Sequence, residues 1–321
     1  MKKNWITKVA VLMLALVMVT SCFVGSTFAK YVTRAQGTDQ ARVAKWGILV
    51  SVEGNAFANK YETDDDTYDG EFSVVAIDEA QVVAPGTNSE QVGQNLVGKV
   101  TGTPEVATRY TLEGKAVKDV VLPAGTYTDY TNYYYNDDEF GTGYNGTFTI
   151  PENHTYAPVK WNLIIEGKGQ TLDLAQALHD ALGEENLAQA EAYGFTENGC
   201  SIFDAIVIMQ KVMDNPTYMQ TVENILGGFV SGGRNFQLEA DKDEGTFKLS
   251  YDFDPNKEMD YTFTLSWDWA FETKDDNGNV IELFDQADTF LGNVAAGVID
   301  APDGCSVEIS AELTATATQI D

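Results

Sequence analysis

Histidine is the scarcest chemistry-bearing residue in this chain, with only His154 and His179. The HExxH zinc-protease signature needs two histidines one helical turn apart, and these fall in separate segments, so that chemistry has no basis here. His154 falls in a loop and His179 in a helical stretch, and both read as ordinary surface residues. Cysteine is limited to Cys22, Cys200 and Cys305, with no CxxC pair, which excludes the usual structural zinc site. Positive charge is also sparse: 20 Lys and Arg against 49 Asp and Glu leave a net charge of -29. A field of that sign repels phosphate backbones and anionic headgroups, so nucleic acid is not an expected partner. GxSxG and phosphate-cradling glycine loops are missing as well. No enzyme is therefore expected, and no catalytic or cofactor-binding residue is assigned. Sortase attachment is not expected either, because no LPxTG-like signal precedes Thr318-Gln319-Ile320-Asp321.

The N-terminus has the order of a secretory signal. Lys2 and Lys3 form a basic head, Val9 to Val19 an apolar run too short for a comfortable membrane span, and Thr27-Phe28-Ala29 a small-residue junction. Cleavage is expected between Ala29 and Lys30, giving a signal peptide over 1–29 and a secreted, extracellular protein. Its removal takes away Lys2, Lys3 and Lys8 and no acid, carrying the net charge from -29 to -32. Val19-Thr20-Ser21-Cys22 also has the form of a lipobox, the alternative by which lipidation of Cys22 would hold the chain at a membrane. In an oxidising compartment Cys200 and Cys305 are a candidate disulfide pair.

Alternation then decides the fold class. Tyr261, Phe263, Leu265, Trp267, Trp269 and Phe271 alternate with Thr262, Thr264, Ser266 and Asp268, which predicts a strand with one buried face. Phe247, Leu249, Tyr251 and Phe253 repeat the pattern, and Asp254-Pro255-Asn256-Lys257 between the two runs predicts a hairpin. Trp46, Ile48, Val50 and Val52 form a further strand, as do Val159 to Ile165 and Val307 to Leu313, with weaker candidates at 71–77, 106–113 and 146–150. Strands of this kind belong to antiparallel sheets with one wet face, and two such sheets stacked give a mainly β, jelly-roll-like antiparallel β-sandwich over 30–321.

Residues 170–228 change period. Leu172, Leu174, Ala175, Leu178 and Leu182, then Ile202, Ala205, Ile206, Ile208, Met209 and Val212, recur at helical spacing, and a third short helix is expected after Pro216, ending before Gly227-Gly228; together they predict a helical insertion packed on the sandwich. The stretch 121–156 is rich in tyrosine, a composition that stacks on sugars, cements subunits or lines a long hairpin. Hard oxygen ligands concentrate at 64–70, where Asp64, Asp66 and Asp69 are candidate calcium ligands in what otherwise reads as a solvated acidic loop. Calcium is the one cofactor this pattern suggests. Asp275-Asp276-Asn277-Gly278-Asn279 reads as a turn.

Gly25-Ser26-Thr27-Phe28-Ala29-Lys30-Tyr31, followed by Ala41-Arg42-Val43-Ala44-Lys45-Trp46-Gly47, resembles the start of the TasA/camelysin group of Gram-positive exported proteins. Val82-Val83-Ala84-Pro85-Gly86-Thr87 looks like the group's Pro-Gly turn, and 266–272 and 288–292 are similar to segments of its members; 170–228 has no counterpart in it. The resemblance implies export through a SipW-type signal peptidase and a jelly-roll subunit of cell-surface or biofilm matrix. It also implies polymerisation by lending a segment from Lys30 to about Gln40, with Tyr31, Val32 and Thr33 as the strand-forming part. The alternative is a monomeric extracellular module that binds a glycan or another surface protein.

Overall fold

The computed structural model describes residues 44–57, 82–90, 95–130, 146–152, 154–191, 201–229, 233–241, 244–271 and 281–320. They form a mainly β architecture of two packed antiparallel sheets with four short helices. The first sheet has the order β1 (Ile48–Glu53), β3 (Leu96–Gly102), β11 (Met259–Trp269), β7 (Val159–Gly167), β8 (Gln170–Asp173), and the short β2 (Thr87–Asn88) also pairs with β11. The second has the order β12 (Ser310–Gln319), β4 (Thr108–Lys118), β10 (Thr246–Phe253), β9 (Gly233–Asp241). A two-stranded hairpin, β5 (Gly125–Thr128) with β6 (Thr147–Ile150), stands beside them.

Each long strand buries the face that alternation marks. Phe263, Leu265, Trp267 and Trp161 of the first sheet are buried, and so are Tyr110, Leu112, Phe247, Leu249, Tyr251 and Phe253 of the second. The two faces meet ring to ring: Tyr110 stacks on Phe263 at 5.1 Å, and Phe253 lies 6.2 Å from Tyr261. This is the dry layer of a sandwich.

The expected hairpin at 254–257 is not one. β10 and β11 belong to different sheets, so the turn is an arch that carries the chain across the core. The connection from β3 to β4 makes the same crossing, and the two arches are tied where the Asn256 N–H donates to Pro104 O at 2.7 Å. Because β3 pairs with β11 and β4 with β10, the two crossings act as one ribbon wrapped over both sheets, a jelly-roll-like path. The turn residues that suit a hairpin also suit an arch, and Asn256 adopts φ 61 here.

Other expectations shift at their ends. Phe271 lies beyond β11 and is 48% exposed; Trp46 precedes β1 and is 40% exposed, and Val52 is 39% exposed, so only Ile48 and Val50 of that run pack against the core. The last strand starts at Ser310, leaving Val307 and Ile309 half-buried ahead of it. The helical insertion begins at 174, because Gln170–Asp173 pairs with β7 as β8. It holds α1 (Leu174–Glu191), bent at Gly183, then α2 (Ile202–Val212) and α3 (Asn215–Phe229). A fourth helix, α4 (Glu282–Ala295), was not expected. Its buried Ala287, Phe290, Leu291 and Val294 do recur at helical spacing, the signal that could have revealed it.

Candidate functional site: the open seam of the sandwich

A two-sheet sandwich has two lateral seams, each flanked by an edge strand from either sheet. One seam, between β8 and β9, is closed by the insertion. α1 packs on β7 and β8, α2 on β7, β9 and β10, and α3 on β9. Phe203 of α2 reaches between the sheets, 6.3 Å from Trp161 and 5.6 Å from Phe247. The β9 edge is capped chemically as well, since the buried Tyr218 hydroxyl of α3 donates to Leu238 O at 2.6 Å. That satisfies an edge carbonyl that would otherwise template another strand.

The opposite seam, between β1 and β12, is built differently. These two strands lie side by side, and among the described residues β1 pairs only with β3 and β12 only with β4. Exposed large apolar side chains occur at β1, where Leu49 is 76% exposed with Trp46 and Val52 nearby, and at Val82, Phe271 and Val298 elsewhere. Gly54, at φ 91, fixes the end of this strand; a Cβ there would strike Asn95 O. Charge does little to guard the edge. Glu53 faces Lys99 at 3.5 Å, and β12 carries Glu312 among exposed Thr314, Thr316 and Thr318. An edge strand with exposed apolar side chains such as Leu49 and few charges is a template for pairing.

Ala29, Lys30, Tyr31, Val32, Thr33, Asp64, Asp66, Asp69 and Cys200 lie outside the described residues. Cys305 is half-buried, and burial pushes its thiol up. His154 is exposed, its Nδ1 3.2 Å from Glu152 O; His179 sits on α1 with Nδ1 3.4 Å from Asp180 Oδ1. Among the described residues no group of three or more His, Cys, Asp or Glu is placed to hold a metal ion, and no helix is long and apolar enough to cross a membrane. The described tyrosines of the Tyr-rich stretch turn inward: Tyr127 packs 4.9 Å from Phe290, and Tyr156 stacks on Phe284 at 5.2 Å.

Two half-buried carboxyls escaped the sequence reading, having nothing to distinguish them among 49 acids. Asp119, at the end of β4 beside Trp161 and Asp204, is pushed up to about 7 by burial. Asp288 of α4 is likewise pushed up to about 7 by burial. In comparisons with known proteins the chain matches no protein-family model, no curated protein and no solved structure.

Proposed function

We propose that this chain is an exported, non-enzymatic structural protein of the cell surface or biofilm matrix, akin to the TasA/camelysin group, whose subunits join by strand lending. The observation that carries the reading is the asymmetry of the two seams among the described residues: helices and Tyr218 cover one, while β1 and β12 present backbone and exposed Leu49 at the other. Residues 30–40 precede β1 by only a few positions, so one subunit's extended segment would add a row of backbone hydrogen bonds to the next subunit's edge. Repeated head to tail, that step builds a fibre. Release by a SipW-type signal peptidase at Ala29 would free the segment. Tyr127 and Tyr156 pack inward, away from any glycan; Tyr133, Tyr134, Tyr135 and Tyr144 of that stretch lie outside the described residues.

The test compares a chain starting at Lys30 with one starting at Ala41, by sedimentation and electron microscopy across concentration. The longer chain is expected to form concentration-dependent oligomers or fibres, and the shorter to stay monomeric with the same circular dichroism. Two monomers under every condition would overturn the reading.

A further inference from the structure

Of the two edges at the open seam, β12 is the longer and the less guarded. It runs ten residues, Ser310 to Gln319, without Pro or Gly, and Glu312 is its one charged residue. Its register against β4 shifts at Ser310 and Ala311 and is unbroken from there to the end. Free edges of that length are ordinarily blunted by a bulge, a cluster of charge or a covering element.

The inner face beneath this edge is incompletely covered. Leu313 is buried, but Ala315 and Ala317 on the same side of the strand are only half-buried, as are Ile48 and Val50 of β1 opposite. The inward residues one and two strands further in, Tyr110, Leu112, Leu249 and Tyr251, are fully buried.

The chain enters the sandwich at the end where β12 leaves it. The Lys45 N–H donates to Glu105 Oε2 at 2.8 Å and the Glu105 N–H to Lys45 O at 2.9 Å, which pins the root of β1 to the arch between β3 and β4. Two residues along that arch, Ala107 O accepts from the Ile320 N–H at 3.0 Å. Whatever precedes Lys45 therefore starts beside β12. The stretch from Lys30 to Val43, outside the described residues, carries Lys30, Arg34 and Arg42 against a single Asp39, so it is basic in a chain of net charge -29. Its first part has the strand-forming Tyr31, Val32 and Thr33. From Gln36 to Val43 it has a tether that reaches about 26 Å when extended, enough to place that part anywhere along β12. A tether this short holds its cargo at an effective concentration of about a millimolar, so below that level the chain's own edge outcompetes a neighbour's.

We propose that in the monomer the segment from Lys30 to Ala35 lies along its own chain's β12 edge, covering Ala315 and Ala317, and that strand lending begins only when this self-pairing opens. The inference rests on the reading above for what the segment does once released and for the cleavage that starts it at Lys30. Self-capping of this kind keeps both the basic segment and the unguarded edge out of reach of wrong partners, and it makes release the slow step of assembly.

Hydrogen exchange at a concentration where sedimentation gives monomers tests this on three chains: one starting at Lys30, the same chain with Thr33→Pro, and one starting at Ala41. The β12 amides that point away from β4 are expected to exchange about tenfold or more slowly in the first than in the other two, with β9 and β10 alike in all three. Equal β12 exchange in the three monomers would overturn the proposal. So would protection of β12 that appears only above the concentration of association, since a neighbour's segment would then be the cover. A chain that caps β12 at every concentration yet never associates would support the capping and remove the strand-lending reading instead.

Discussion

Gly114 and Gly167 each lie directly opposite an aromatic residue in the ladder, Gly114 against Phe247 and Gly167 against Tyr261. The rings lie over the bare backbone, and a Cβ at either glycine would run into ring atoms. Gly114→Ala is therefore expected to cost about 1–3 kcal/mol by overpacking, read as a lower urea midpoint with an unchanged slope. On the outer face, Asp252 takes a two-pronged grip from Arg109, Nε at 2.7 Å and Nη2 at 3.0 Å, and a third hydrogen bond from Asn235 at 2.9 Å. The guanidinium holds this carboxyl below its ordinary range, so its contribution is present above the unfolded value of about 4 and is lost as pH falls through the folded one. Asp119 acts in the opposite sense. Its folded value of about 7 means that stability falls as pH rises from about 4 to 7. Unfolding midpoints measured against pH should thus peak in mildly acid buffer, and Asp119→Asn should flatten the alkaline limb while leaving the acid limb alone.

At the scale of elements, the insertion earns its place by what it covers. The 59 residues between β8 and β9 are costly to order, yet the insertion closes a seam and protects an edge that an open sheet would leave bare. Tyr218→Phe keeps the buried ring and strands the Leu238 carbonyl; it is expected to destabilise the fold by about 1–2 kcal/mol and to speed exchange along β9 more than along β11. β1 should answer in reverse. Leu49→Lys touches little in the monomer, so its stability is expected to stay within about 0.5 kcal/mol, while a lysine on a pairing edge blocks strand addition and suppresses oligomers in sedimentation.

For the molecule as a whole, alternation made the strands legible and left their partners hidden. Tyr251 and Tyr261 announce buried faces by period alone, but no local rule says that the turn between them crosses from one sheet to the other; Pro104 O, the acceptor that pins it, lies some 150 positions away in the chain. Long-range pairing is where short-range reading fails. The seam was hidden for the same reason, since β1 and β12 come from opposite ends of the described chain and become neighbours only once both sheets stack. Asp119 and Asp288 were illegible because burial, not residue type, sets them apart. The net charge of -29, or -32 for the chain starting at Lys30, adds a demand at this scale: self-repulsion has to be screened if subunits are to meet, so assembly should strengthen as salt rises from about 10 to 150 mM. The most direct measurement is hydrogen exchange of the β1 amides, Ile48 to Glu53, in the chain starting at Lys30, below and above the concentration at which it associates. If the open seam is the joining surface, the alternate β1 amides that point away from β3 are weakly protected in the monomer and become strongly protected on association while β9 does not change. Equal protection of β1 in both states would contradict it.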